Sequence, residues 1–147
     1  MNTHSIHSNL SAREYADELA VPDEQLTHAI IGAGIEVHRH LGPGLLESIY
    51  QRAMELELDR RAIPYRAQVP VPTFYKGDPV GDFYADLIVA GRVIVELKAV
   101  SELHNAHIAQ LLSYLAATQL HLGLLVNFNA ITLVKGVKRV IRSGSTS

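Results

Sequence analysis

Apolar residues recur at helical spacing in the first third of the chain. In residues 26–40 they fall every three or four positions, which is the spacing of one face of an amphipathic helix. The Leu-Gly-Pro-Gly sequence at 41–44 ends this helix, because glycine suits a left-handed cap and proline cannot continue the helical hydrogen bonds. The pattern then predicts a second helix from Gly44 to about Ala62.

The period changes to that of strands after the second helix. Residues 66–75 contain two prolines, so we expect an edge strand there, because proline has no amide hydrogen to donate to a neighbour. The sequence Lys-Gly-Asp-Pro at 76–79 predicts a turn. Residues 80–89 and 92–100 are predicted strands, and the Ala-Gly pair at 90–91 indicates a hairpin between them.

Helical spacing returns once in the C-terminal half of the chain. We expect a helix over residues 103–119, a short buried strand over 122–128 and a last β-rich segment over 131–141. After the two N-terminal helices, the predicted order is therefore three strands, a helix and two strands. This order of elements is that of an α/β fold.

The composition is that of one globular domain. The 147 residues are 48% hydrophobic and include no cysteine, which excludes disulfides, iron–sulfur clusters, thiolate zinc sites and cysteine nucleophiles. No apolar run approaches the roughly 18 residues of a membrane span. We expect a soluble, cytoplasmic protein with a domain over residues 26–142, a peripheral segment over 1–25 and a disordered tail over 143–147. A capping-box pattern at 11–14 predicts a short helix to about Leu19 in that segment.

Charge is unevenly distributed along the chain. Residues 1–62 carry a net charge of −5 and residues 63–147 one of +3. Near the C-terminus lies a basic stripe of four residues, Lys135, Lys138, Arg139 and Arg142. Such a stripe can contact nucleic-acid phosphates, although a solvated strand face is an equally good interpretation. The pI near 6.4 argues against tight, non-specific DNA binding by a monomer.

Two charges interrupt the apolar strand predicted at residues 92–100. Glu96 and Lys98 are two positions apart, so both side chains point to one face of the strand. Charged side chains are rarely buried unless they are paired or bound to a metal. This segment alone leaves two interpretations open, a structural Glu–Lys ion pair and a site that carries chemistry.

Asp86 is a third lone charge in an apolar strand, and the hairpin loop decides whether it meets Glu96. A two-residue loop at 90–91 would send Glu96 to the other face. A three-residue loop at 90–92, or a bulge, would place the two carboxylates opposite each other. Carboxylates at that distance repel unless a proton or a cation lies between them. Carboxylate oxygens suit Mg²⁺ or Mn²⁺, and Lys98 beside such an ion can orient a water or stabilise charge on a phosphoryl oxygen.

Two polar clusters on the predicted helices could serve the same site. Glu47 and Tyr50 are three residues apart on the second helix and share a face. A polar stripe on the later helix comprises His107, Gln110 and Tyr114. Glu47 also lies in the first helical turn, where a carboxylate suits the helix dipole and can close a cap. The polar stripe is equally consistent with a solvent-exposed face.

Taken together, these motifs resemble one protein family. The sequence GLLESIY at residues 44–50 resembles the signature of the GxxExxY proteins, a branch of the PD-(D/E)XK nuclease superfamily. The segments YADLIV, VIVELKAV, AQLLSYL and LGLLVNF follow in the family's order, so that the resemblance runs from about Leu26 to Arg142. The metal-site pattern D-x(9)-E-x-K is matched by Asp86, Glu96 and Lys98.

Other positions extend the resemblance. Gln110 and Tyr114 match the family's Q-x-x-x-Y on the following helix, so that both would belong to the catalytic site. Glu47 is similar to the acid of the first core helix. Ala85 precedes Asp86 where the motif has a proline, but many branches lack that proline. No motif acid or lysine is missing, so the sequence does not indicate an inactive site.

The resemblance implies a restriction-endonuclease-like core, in which a mixed β-sheet is flanked by helices in the order α-β-β-β-α-β. It also implies Mg²⁺-dependent (or Mn²⁺-dependent) hydrolysis of phosphodiester bonds in DNA or RNA. By this likeness Asp86, Glu96 and the Leu97 carbonyl would hold the metal. Lys98 would help to position the attacking water, and Glu47 would bind a second metal or orient the first.

Two other functions are compatible with the same sequence. Many folds of this kind recognise nucleic acid or protein without cleaving, and a chain of this length leaves little room for a target-recognition element. A non-cleaving binding module and a subunit of a larger nucleic-acid-processing assembly are therefore alternatives. A homo-oligomer is compatible with either.

Overall fold

The computed structural model describes residues 23–143 of the chain. Residues 1–22 and 144–147 lie outside the described part, and with them the predicted helix up to Leu19. The first described element is helix α1, Asp23–Leu41. It begins three residues before the predicted start, so the end of the predicted peripheral segment belongs to it. Two carboxylates in its first turn interact favourably with the helix dipole.

Helix α2, Glu47–Arg60, begins three residues later than predicted. Gly42 and Gly44 adopt positive φ angles of 69° and 96°, and Leu46 is extended, so the chain between the helices is not helical. The start predicted at Gly44 is therefore wrong, because the sequence pattern located the helix break but not the length of the loop. Among the helices of the described residues, none has both the length and the hydropathy to cross a membrane.

Within residues 23–143, five strands form one mixed sheet in the sequential order β1 to β5. The strands are β1 (Tyr65–Tyr75), β2 (Asp78–Val89), β3 (Val93–Lys98), β4 (Leu122–Asn127) and β5 (Val137–Ile141). Strands β3 and β4 are parallel, and the other neighbouring pairs are antiparallel. A parallel pair needs a crossover connection, and helix α3, Asn105–Thr118, provides it. The predicted mixed sheet flanked by helices is confirmed, and it is consistent with a restriction-endonuclease-like fold.

The ends of two segments differ from the sequence pattern. Strand β2 begins at Asp78, so Pro79 lies within the strand and the turn before it contains only two residues. The β-rich segment expected over 131–141 contains a short 3₁₀ helix, Val134–Gly136, before β5 begins. Propensity identified both regions correctly but not their boundaries.

Strand β1 lies at one edge of the sheet, as its prolines predicted. Pro70 lies opposite Tyr84, and Pro72 lies opposite Asp82 in the β1–β2 ladder. Proline is tolerated at such positions because its nitrogen, which carries no hydrogen, faces away from the neighbouring strand.

Two apolar layers pack against the two faces of the sheet. The layer under α1 and α2 includes Ile30, Tyr50, Met54, Leu58 and Leu97. The layer under α3 includes Ile94, Leu111, Leu115 and Leu125. Because Ile94 faces α3 and side chains alternate along a strand, Glu96 and Lys98 also face α3. The sheet thus presents both charges to one helix.

Candidate active site

The hairpin between β2 and β3 brings Asp86 opposite Glu96. The ladder pairs Leu87 with Val95 and continues to the loop, so that the loop contains three residues, 90–92. The next pair in this register is Asp86 with Glu96. Of the two loop lengths that the sequence left open, the three-residue loop is therefore the one adopted, and the predicted contact is confirmed.

Asp86 leaves the regular ladder at this point, and side chains take over its hydrogen bonds. Its backbone N–H donates to Oε1 of Glu96 at 3.2 Å. Its carboxylate Oδ2 accepts the backbone N–H of Leu97 at 2.8 Å. The two strands therefore separate around a pair of carboxyl groups that lie in contact.

Glu96 is unusually placed for a carboxylate, since its side chain belongs to the buried interior and the residue is only 4% exposed. Burial, and after it the negative charge of Asp86, raise the pKa of Glu96 to about 8, although the hydrogen bond from the Asp86 backbone and the charge of Lys98 act in the opposite direction. Near neutral pH this carboxyl therefore holds a proton in the metal-free protein. A divalent cation between the two carboxylates would remove the same repulsion.

Lys98 lies at the end of β3 and contacts helix α3. Its ammonium donates to Oε1 of Gln110 at 3.5 Å. Among residues 23–143, Lys98 makes no ion pair with Glu96 within 4 Å. The geometry therefore does not favour the interpretation of these two residues as a structural ion pair.

Tyr114 lies one helical turn after Gln110, and its ring stacks on that of Phe83 with 3.6 Å between the ring centroids. Burial raises the pKa of Tyr114, and the charges of Glu96 and Asp86 act in the same direction, whereas a hydrogen bond with Gln110 lowers it. Tyr114 therefore packs on β2, on the face of the sheet that carries Glu96. The predicted polar stripe faces the site at these two residues rather than solvent alone.

Glu47 is exposed at the first position of α2 and lines a cleft with Asp86 and Leu97. The volume of this cleft is about 410 Å³. In the part of the chain that the structure describes, no three Asp, Glu or His side chains lie close enough to enclose a metal ion by themselves. Glu47 thus shares the cleft with Asp86 without joining the carboxylate pair, and its role as a ligand stays a prediction.

The backbone carbonyl of Leu97 is a further oxygen donor beside the Asp86–Glu96 pair. A residue's N–H and C=O point to the same side of a strand, and the Leu97 N–H points to Asp86. Its carbonyl therefore points toward the gap where β2 has separated from β3. Two carboxylates and one carbonyl are hard oxygen donors, and this donor set fits Mg²⁺ or Mn²⁺.

Comparison with protein families agrees with this geometry. Residues 24–140 match the sequence model of the PD-(D/E)XK nuclease superfamily. The chain belongs to this superfamily. Members generally hydrolyse phosphodiester bonds and typically use divalent metals, so that membership supports a nuclease-type function. No significant match was found among curated proteins or among solved structures.

Two glutamines that the sequence did not single out support Asp86 in this PD-(D/E)XK protein. Gln51 on α2 donates through Nε2 to the Asp86 carbonyl oxygen at 3.0 Å and also to Glu55. Gln68 on β1 donates to Oδ1 of Asp86 at 3.2 Å. Both glutamines line the cleft. Because both residues are uncharged and lie among polar surface residues, nothing in the sequence indicated that they would hydrogen-bond to Asp86.

Asparagines at the end of β4 and just after it connect the two loops that flank the site. The side chain of Asn127 pairs with the backbone of Val100, accepting at 3.1 Å and donating at 2.9 Å. Asn129 accepts the backbone N–H of Gly44 at 2.7 Å through its side-chain oxygen. The end of β4 therefore holds the chain that follows Lys98 and the loop that precedes Glu47.

Tyr50 of the GxxExxY-like sequence is buried in the core rather than placed in the cleft. Its ring stacks on Phe128 with 4.5 Å between the centroids. Its hydroxyl donates to the Gly42 carbonyl at 2.6 Å and accepts the Leu45 N–H at 3.1 Å. The tyrosine thus fixes the loop before α2. Glu47, on the same helix, is exposed.

We expect Tyr50→Phe to lower the free energy of unfolding by about 1–2 kcal/mol, because it leaves two backbone groups of the loop without their partner. The ring stays stacked in this variant, so the loss of stability measures the contribution of the hydroxyl alone. Urea unfolding of the variant measures it, with Tyr84→Phe as a matched change at an exposed tyrosine. Equal stability of the two variants would contradict the role of the Tyr50 hydroxyl in fixing the loop before α2.

The basic stripe is divided between structural bonds and exposed cations. Arg139 donates to the hydroxyl of Thr27 on α1 at 3.0 Å, and Arg142 donates to the Leu120 carbonyl at 2.9 Å. These guanidinium groups support the packing of β5. The two lysines of the stripe are exposed. Contact of the stripe with nucleic acid stays a prediction, and the two exposed lysines are the residues best suited to make it.

Proposed function

We propose that this protein is a metal-dependent nuclease of the GxxExxY branch, with its active site at the separation of β2 and β3. The observation that supports this most is the contact between Asp86 and Glu96. The carboxyl of Glu96 has a raised pKa although the positive charge of Lys98 acts to lower it. Two acids held together without a counter-ion between them are costly to the fold. A site for a divalent cation explains that arrangement.

The ligands of the metal would be the carboxylates of Asp86 and Glu96 and the carbonyl of Leu97. A divalent ion held there would supply Lewis-acid polarisation of the scissile phosphate and would lower the pKa of a bound water molecule. Glu47 faces the same cleft, and we propose that it orients a further water or a second ion.

Lys98 would orient the attacking water and stabilise the charge that develops on the phosphoryl oxygens. Its ammonium is compact and carries three donors, so one hydrogen bond to Gln110 leaves two for the substrate. Gln110 thereby restricts where the ammonium lies, and Tyr114, one helical turn further along α3, packs on Phe83 of β2. Lys135 and Lys138 are the exposed groups suited to the nucleic-acid backbone.

A cleavage assay on a panel of nucleic acids tests this function. The panel contains single- and double-stranded DNA and RNA, each incubated with Mg²⁺, with Mn²⁺ and with EDTA. We expect cleavage of at least one substrate with metal and none with EDTA. Binding without cleavage in every metal condition would favour the non-cleaving module, and neither binding nor cleavage would contradict both proposals.

A further inference from the structure

Gln68 has a backbone conformation that glutamine rarely adopts. Its φ angle is +49°, in the left-handed region, although it lies inside strand β1. This conformation is unfavourable for a residue with a side chain. Backbone strain of this kind persists where surrounding structure imposes it, and it concentrates at functional sites. The ladder pairs Ala67 with Leu87 and Val69 with Ala85, so that Gln68 lies opposite Asp86 at the position that the ladder skips.

Both strands of the ladder change faces at this position. Ala67 and Leu87 pack into the layer under α1 and α2, whereas Val69 and Ala85, two positions further, pack into the layer under α3. Residues two apart share a face in a regular strand. The reversal therefore occurs at Gln68 and at its partner, and it turns the Asp86 carboxylate out of the regular ladder.

Hydrogen bonds occupy each side of Asp86 at the reversal. The Gln68 side-chain amide donates to Oδ1, and the Leu97 N–H donates to Oδ2. All of these donors, including Gln51 on the backbone carbonyl, are uncharged. A neutral donor fixes the direction of a carboxylate without placing a positive charge beside it, which would repel an incoming cation.

We propose that Gln68 is a positioning residue, which holds Asp86 in the orientation that binds the metal. The inference deepens the proposed function and rests on it. The side chain of Gln68 is exposed, so its removal opens no cavity in the core. Its left-handed backbone keeps the amide on the side of Asp86, and its effect reaches the metal through that carboxylate alone.

Titration of the intact protein with Mn²⁺ by calorimetry, combined with melting curves in EDTA, tests the assignment. Gln68→Gly removes the amide and suits the left-handed conformation, so we expect a melting temperature no lower than that of the wild type. The affinity for Mn²⁺ is expected to fall about tenfold, the usual effect of losing a partner of a metal ligand. Gln68→Asn tolerates the same backbone but is one methylene shorter, and its affinity is expected to fall as well.

Gln119 provides a matched control. It is an exposed glutamine with a φ angle of +59° at the end of α3, so Gln119→Gly relieves the same backbone strain without altering the site. We expect unchanged Mn²⁺ affinity in this variant. If both Gln68 variants bind Mn²⁺ as tightly as the wild type, the positioning role is wrong and the nuclease proposal stands. If the wild type itself binds no Mn²⁺, the two proposals fail together.

Discussion

Replacing Glu96 with glutamine is expected to abolish both metal-dependent cleavage and the stabilisation of the protein by Mg²⁺. Metal that binds only the folded state stabilises the wild type by about 1.4 kcal/mol at a tenfold excess over Kd. Glu96→Gln removes one ligand charge, so this shift disappears. In EDTA the variant is expected to be at least as stable as the wild type, because the neutral amide, like the protonated carboxyl, does not repel Asp86 and needs no proton to stay neutral.

The same residue sets an expected pH dependence of the metal-free protein. The folded-state pKa of Glu96 is raised from 4.5 to about 8, so between these values the folded protein binds more protons than the unfolded chain. The contribution of Glu96 to the free energy of unfolding should therefore be fully present below about pH 4.5 and should fall by a few kcal/mol as the pH rises to about 8. Glu96→Gln should lose this dependence, and Glu102→Gln, at an exposed acid, should keep it.

Melting curves of the wild type and both variants, recorded with Mg²⁺ and with EDTA across this pH range, check these expectations. A structural role for Glu96 makes the opposite prediction, since the glutamine would strand a cation and destabilise the protein in EDTA. Destabilisation of the variant together with no response of the wild type to metal would therefore end the metal-site proposal.

Replacing Lys98 with alanine is expected to reduce the rate of cleavage by about 10²–10³-fold, the effect of removing one group that stabilises transition-state charge. The affinity for Mg²⁺ should be unchanged or higher, because a positive charge next to the ligands has been removed. Initial rates at saturating metal and calorimetric titration measure the two effects separately.

Lys76→Ala is the matched control for Lys98. Lys76 lies in the turn between β1 and β2, where its ammonium contacts the ring of Tyr75 rather than the cleft. We expect this variant to cleave at the wild-type rate. Undiminished cleavage by Lys98→Ala would show that the lysine does not take part in the chemistry, whatever its position.

The sequence predicted the contact between Asp86 and Glu96 only as one of two registers. Ala90 and Gly91 both adopt positive φ angles, 53° and 67°, and a pair of such residues suits a two-residue turn as well as a longer loop. Local propensity could not decide between them. The choice depends on which faces of β2 and β3 the two core layers bury, which is a property of the whole sheet.

The supports of the site could not be predicted for a related reason. Gln51 and Gln68 contact Asp86 across 35 and 18 positions of the chain, and no local pattern distinguishes them from surface glutamines. The shared helical face of Glu47 and Tyr50 was also misleading as a guide to the site. One residue faces solvent at the cleft and the other is fully buried.

The prolines of β1 have a consequence for how the sheet can grow. The free edge of a sheet acts as a template for strands of other molecules, and this is a route to aggregation. Over 70–72 the outer edge of β1 offers carbonyl oxygens but no proline N–H, so an added strand would find acceptors without donors. A strand of another molecule could then add only at β5, which has five residues and includes Lys138 and Arg139. Charges on a short strand disfavour addition there too, so both outer strands of the described sheet resist polymerisation.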